Sequence, residues 1–183
     1  HRLANGGRLG QMIGFGLCDS GRIGHDPSLL EHQRVPHLTS PTTCPCAELD
    51  GVFLTGCAAE WGTTHLLSND GRAFAMGCCD NGALGLGKLP YPGVMPTEID
   101  PQHFNHSPIA AVSTAYCSRS TIWLTSGGSA FCANGTGTPT IISEFDGICI
   151  VSVSSTLTYQ IFLADNGDMY LFGRYDKSFP EPA

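Results

Sequence analysis

Leu67-Ser68-Asn69-Asp70-Gly71 runs straight into Arg72-Ala73-Phe74-Ala75-Met76-Gly77, and the same frame returns as Leu163-Ala164-Asp165-Asn166-Gly167 followed by Asp168-Met169-Tyr170-Leu171-Phe172-Gly173. Asn and Gly accept the positive φ that tight hairpin turns demand, so Asn69-Asp70-Gly71 and Asp165-Asn166-Gly167 read as turns. An apolar stretch such as Ile161-Phe162-Leu163 precedes each turn, and a short segment ending in a bulky residue and glycine follows it. Each copy predicts one β-hairpin. Another copy reads Leu124-Thr125-Ser126-Gly127-Gly128 and then Ser129-Ala130-Phe131-Cys132-Ala133-Asn134. The first copy, cut short at its start, is Gly10-Gln11-Met12-Ile13-Gly14-Phe15-Gly16. Gly10, Gly71, Gly128 and Gly167 are thus equivalent turn glycines, followed six residues later by Gly16, Gly77, Asn134 and Gly173. The copies stand 61, 57 and 39 residues apart, a constant core with connections of variable length.

Upstream of two of these hairpins, Ile109-Ala110-Ala111-Val112-Ser113 and Ile148-Cys149-Ile150-Val151-Ser152-Val153 are further strand candidates. Ser28-Leu29-Leu30-Glu31-His32 is at most one helical turn, and no longer segment carries helical periodicity. The chain reads as all-β. Its 183 residues suffice for a substantial core, and 42% apolar against 14% charged residues argues against charge-driven disorder. The net charge is −7, and the nine Lys and Arg are dispersed rather than clustered, so direct nucleic-acid binding is not expected. No run of about 18 apolar residues occurs, so no membrane span is expected. The chain opens on His1 without a hydrophobic signal segment, which reads as a fragment of an intracellular protein. Nine cysteines, an odd count without disulfide spacing, fit a reducing compartment, with Cys117, Cys132 and Cys149 as small buried thiols.

The repeat resembles that of the regulator of chromosome condensation (RCC1-like) family, a hairpin ending in Asp-Gly, then an aromatic-Gly pair, then a glycine-rich loop. Asp80-Asn81-Gly82-Ala83-Leu84-Gly85-Leu86-Gly87 is similar to that loop, and Cys18-Asp19-Ser20-Gly21-Arg22-Ile23-Gly24 sits at the same offset in the first repeat. The third repeat departs from it, passing from Asn134-Gly135-Thr136-Gly137 directly to Pro139. Phe15, Met76, Ala133 and Phe172 stand where the family has tryptophan, and His65 lies near the family's histidine position. The resemblance implies a β-propeller of four-stranded blades. This chain would supply about three to four of them, as repeats near 7–50, 51–107, 108–146 and 147–175. Such a partial ring must be completed by further chain or by a partner, because each blade buries its faces on its neighbours.

No catalytic, cofactor or metal site is expected. Cys44-Pro45-Cys46 with Cys57 and His37 lacks the paired spacing of a zinc site, and Cys78-Cys79 reads as incidental thiols. Gly14-Phe15-Gly16 and Gly85-Leu86-Gly87 are turns rather than phosphate loops, since no helix follows them. His65 reads as packed in a strand, and no Gly-x-Ser-x-Gly elbow exists, so a hydrolase has no motif. The leading expectation is a non-catalytic scaffold for protein–protein interactions. The alternative, guanine-nucleotide exchange on a small GTPase, comes from the resemblance alone, because the family's founding member performs it. The long proline-rich insertions 24–50 and 86–107 are the expected partner-facing loops, with Arg34, Tyr91 and Phe104 as anchors.

Overall fold

Three of the turn sequences close their hairpins with the same two bonds in this computed structural model, which describes residues 12–17, 21–24, 37–44, 46–78, 82–87, 94–115, 120–134, 137–156 and 158–173. Ser68, Thr125 and Ala164 donate their N–H to the carbonyls of Arg72, Ser129 and Asp168 at 2.9–3.0 Å. Gly71, Gly128 and Gly167 donate back to Ser68, Thr125 and Ala164 at 3.0–3.1 Å. The three glycines have φ of +83°, +84° and +90°, the region where a Cβ is penalised.

Around these turns the described residues form four antiparallel sheets in chain order. The first holds β1 (Ile13–Leu17) and β2 (His37–Thr43). The second holds β3 (Leu54–Ala59), β4 (Thr63–Ser68), β5 (Ala73–Gly77) and β6 (Val94–Glu98). The third holds β7 (Ile109–Ala115), β8 (Ser120–Thr125), β9 (Ala130–Asn134) and β10 (Thr140–Ile141). The fourth holds β11 (Ile150–Ser155), β12 (Tyr159–Ala164) and β13 (Met169–Gly173). Every strand pairs with its chain neighbour, and β7 lies against both β3 and β11, so the sheets succeed one another around an inner arc. The first strands of the second, third and fourth sheets share a register break at one position, between Leu54 and Gly56, Ile109 and Ala111, and Ile150 and Ser152. The all-β expectation holds, relieved by short 3-10 turns at Ala47–Leu49, Pro101–Phe104 and Ser143–Phe145.

Two segments expected as loops contain strands. β2 and β6 lie within insertions 24–50 and 86–107 and carry Pro41 and Pro96. Proline removes a ladder donor, so it is tolerated only where a strand has an unpaired side, and both strands are outer edges. The helical turn considered at Ser28–His32 lies outside the described residues.

Three apolar layers fill the spaces between successive sheets. Leu66, Phe74 and Met76 lie between the first and second sheets, with Met12 packed against them. Leu67, Ala73, Ala75, Trp123 and Phe131 fill the second layer; Ile122, Leu124, Ala130, Phe162 and Ala164 fill the third. Alternate residues of one strand thus serve two layers. Trp123 points back to the second sheet and Leu124 on to the fourth, which is why β8 is buried along its whole length.

Candidate partner-binding faces

The expected partner anchor Phe104 is core, a correction that follows from its local structure. Asp100 caps the turn Pro101–Phe104 by accepting from the Gln102 N–H at 2.9 Å, and the turn drives Phe104 inward. Its ring packs 5.7 Å from that of Trp123 and 5.5 Å from that of Phe131, leaving it 2% exposed. Arg34 and Tyr91 lie outside the described residues, as does Gly10. Gly16 and Gly77 have φ of +101° and +110°, whereas Gly173 has no positive φ and is confined instead by Tyr159 and the Thr158 carbonyl.

Sequence reasoning missed a second repeated signal beside the hairpin. Leu49-Asp50-Gly51, Phe104-Asn105-His106 and Phe145-Asp146-Gly147 each begin five residues before the first strand of a sheet. The third residue has φ of +77°, +56° and +77°, and the leading apolar residue packs into the layer between sheets. An Asp-Gly or Asn-His pair after a bulky apolar residue was legible as a turn.

His65 is buried between the second and third sheets. Its Nε2 lies 3.2 Å from Thr121 Oγ1, its ring meets Trp123 edge-on at 5.4 Å, and burial pushes its pKa down to about 3. Cys44 donates to the Gly24 carbonyl at 2.7 Å, and burial pushes its thiol up to about 11. Among the described residues no three His, Cys, Asp or Glu side chains gather as a metal site would require. No helix of the described residues is long and apolar enough to cross a membrane.

Among the described residues, exposed apolar side chains gather at the two ends of the arc. On the fourth sheet, Phe162, Tyr170 and Phe172 face inward around Phe145, with ring centroids 4.7–5.4 Å from it. The opposite face presents Tyr159, Ile161 and Leu163 of β12 beside Leu171 and Met169, paired Ile161 with Leu171 and Leu163 with Met169. Met169 is 75% exposed and Leu171 is 69% exposed. The equivalent residues of the third sheet, Ile122, Leu124, Ala130 and Cys132, are covered by the fourth sheet. At the other end Ile13 and Phe15 are exposed, at the positions where later sheets place Phe74 and Met76, Phe131 and Ala133, or Tyr170 and Phe172 against the preceding sheet. One end offers a receiving face and the other the residues that elsewhere fill it.

No protein-family model and no curated protein matches the sequence. Solved structures do match. Human WBSCR16 is 17% identical with a TM-score of 0.67, the match covering 90% of this chain and 44% of that one. Prp20p from Saccharomyces cerevisiae is 19% identical with a TM-score of 0.68, covering 84% and 40%. Yeast RCC1 (Prp20) bound to Kap60 is 17% identical with a TM-score of 0.67, covering 91% and 39%. The chain spans about two fifths of the length of the structures it matches. The succession of turn-closed sheets is therefore a diverged RCC1-like β-propeller fold, of which this chain forms an open arc.

Proposed function

We propose that the chain is a non-catalytic propeller scaffold that binds protein, its end faces completed by further blade-like sheets. The repeat limits near 7–50, 51–107, 108–146 and 147–175 are proposed as its blade units. The receiving face of β12 and β13 carries this reading. Burying a side chain of this size gains roughly 1.5–3 kcal/mol, and a contiguous exposed apolar face of a folded protein marks an interface. A sheet of the same repeat suits it, since its third strand brings an aromatic ring to that face at each internal junction, Phe74, Phe131 and Tyr170 in turn.

Replacing Leu163 and Leu171 together by Glu tests the proposal in the protein isolated with whatever completes it. Two carboxylates forced into an apolar junction lower the thermal midpoint of the assembled protein and release the completing element. An unchanged midpoint contradicts the reading, because a free surface tolerates such changes within about 0.5 kcal/mol. A second reading comes from Prp20p, whose structure is described together with its binding to Gsp1p and histones. Together with the family resemblance of the repeat, that likeness gives the alternative of a small GTPase as partner and nucleotide exchange as the activity. Faster release of labelled GDP from such a GTPase on adding the whole protein would favour it.

A further inference from the structure

The first three sheets are closed on their outer side by one kind of strand. β2, β6 and β10 pair with β1, β5 and β9, whereas among the described residues the fourth sheet ends on β13. Each outer strand brings a Pro-Thr pair to the same register. Thr42 lies opposite Gly14, Thr97 opposite Ala75 and Thr140 opposite Cys132, in every case four residues past the turn glycine. Two residues further along, Cys44, Ile99 and Ile142 donate their N–H at 2.9 Å to the carbonyls of Met12, Ala73 and Ala130.

These bonds fix the direction of the outer strands' donors. N–H groups alternate in side along a strand of an antiparallel ladder, so the three threonines also direct theirs inward. Pro41, Pro96 and Pro139 then fall where an N–H would point away from the sheet, and the sheet loses no bond to them. The prolines also deny a further strand its partner.

β13 has the opposite character. The Ala164 N–H meets the Asp168 carbonyl, and the pairs Phe162 with Tyr170 and Gln160 with Phe172 continue that alternation. Tyr170 and Phe172 therefore bond back to β12, while Met169, Leu171 and Gly173 turn their N–H and C=O groups to the open edge. Met169-Tyr170-Leu171-Phe172-Gly173 carries neither proline nor charge, and Met169 and Leu171 are exposed. An unguarded apolar edge of this kind is a template for another strand.

We propose that this edge takes up an extended segment of a partner protein with the pattern Pro-Thr-x-Ile, antiparallel to β13 and with its threonine opposite Leu171. Leu171 stands four residues past Gly167, the position that faces threonine in the other three sheets. The isoleucine carries the selectivity. Ile99 and Ile142 pack into the layers towards the next sheet, Ile99 in the layer of Leu67 and Ala73, whose counterparts in the fourth sheet are the exposed Leu163 and Met169. This chain's own Phe179-Pro180-Glu181-Pro182-Ala183 offers only an alanine two residues past Glu181. Main-chain bonds supply the affinity and the isoleucine the choice of partner. The proposal rests on the scaffold reading and names one segment that the scaffold binds.

Titration of the full chain with acetyl-Val-Met-Pro-Thr-Glu-Ile-amide, the sequence of residues 94–99, tests it by amide NMR. Saturable shifts are expected at Met169, Leu171 and Gly173, whose amides also gain protection from hydrogen exchange. Methylating the peptide's threonine nitrogen removes an inward donor and weakens binding at least about tenfold, a difference of about 1.4 kcal/mol, as does alanine in place of its isoleucine. Methylating its glutamate nitrogen, which points outward, changes the affinity by less than about twofold. Scattered or absent shifts, shifts at residues 73–77 instead, or equal losses from the two methylations would each overturn the proposal. Binding that appears only once residues 179–183 are removed would give the edge to the chain itself and overturn the partner. Failure of the peptide leaves the thermal effect of the Leu163 and Leu171 substitutions intact, so the two readings fail separately.

Discussion

The third and fourth sheets are built on one repeat and differ in what covers them. β8 and β12 place Ile122 and Ile161, then Leu124 and Leu163, at identical positions relative to their turns. Leu124 is 2% exposed because β11–β13 lies on it, whereas Leu163 is 36% exposed at the end of the arc. The third strands differ in the same sense. Small Ala130 and Cys132 fit under a neighbour, while Met169 and Leu171 project from an open face. Identical local sequence logic gives a core in one place and an interface in the other, so neighbours and not propensity decide the fate of these leucines.

The largest effect expected from this contrast is in paired truncations. Leu124→Ala should destabilise the chain by about 2–5 kcal/mol through lost transfer energy and a cavity. Leu163→Ala should cost below about 1 kcal/mol in the open arc. Urea unfolding of both variants checks this, and equal losses would mean that the end face is already packed.

Next come the turn glycines. Alanine at Gly128 meets both a positive φ and Cys149, whose Cα would lie 3.0 Å from the new Cβ. Alanine at Gly167 meets the same φ but nothing within 4 Å. Roughly 2–3 kcal/mol is expected for the first and about 1 kcal/mol for the second. Similar losses would show that crowding between sheets contributes nothing at the turn.

A third contrast distinguishes the internal layers by pH. His65 occupies the position of Ile122 and Ile161, and its folded pKa is depressed to about 3. An unfolded histidine takes up its proton near pH 6.5. Its contribution is therefore complete above about pH 6.5. It is lost as pH falls from there towards 3, by at most about 1.4 kcal/mol per pH unit, because only the unfolded chain gains the proton. His65→Leu should flatten that component of the stability curve between pH 7.5 and 4.5. Parallel curves for the two proteins would remove His65 as its source.

The hairpins were legible because turn chemistry is local: Asn69-Asp70-Gly71 states its backbone conformation without reference to the rest of the chain. The outer strands were not. β2 and β6 contain Pro41 and Pro96, and β10 is only Thr140–Ile141, so their pairing depends on partners already placed. Phe104 was misread for a related reason, since its burial is decided by Trp123 and Phe131 in another sheet. The arc ends were legible as an expectation of incompleteness. Which residues form them required the register.

The central claim, that the β12–β13 face is covered in the working protein, is tested most directly by cysteine protection at position 171. Leu171→Cys would be alkylated in the gently isolated assembly and compared, peptide by peptide, with Ser126→Cys on an exposed turn. The account predicts that the thiol at 126 reacts fully while that at 171 stays protected until denaturant is added. Equal and rapid labelling at both positions in the native assembly would contradict it.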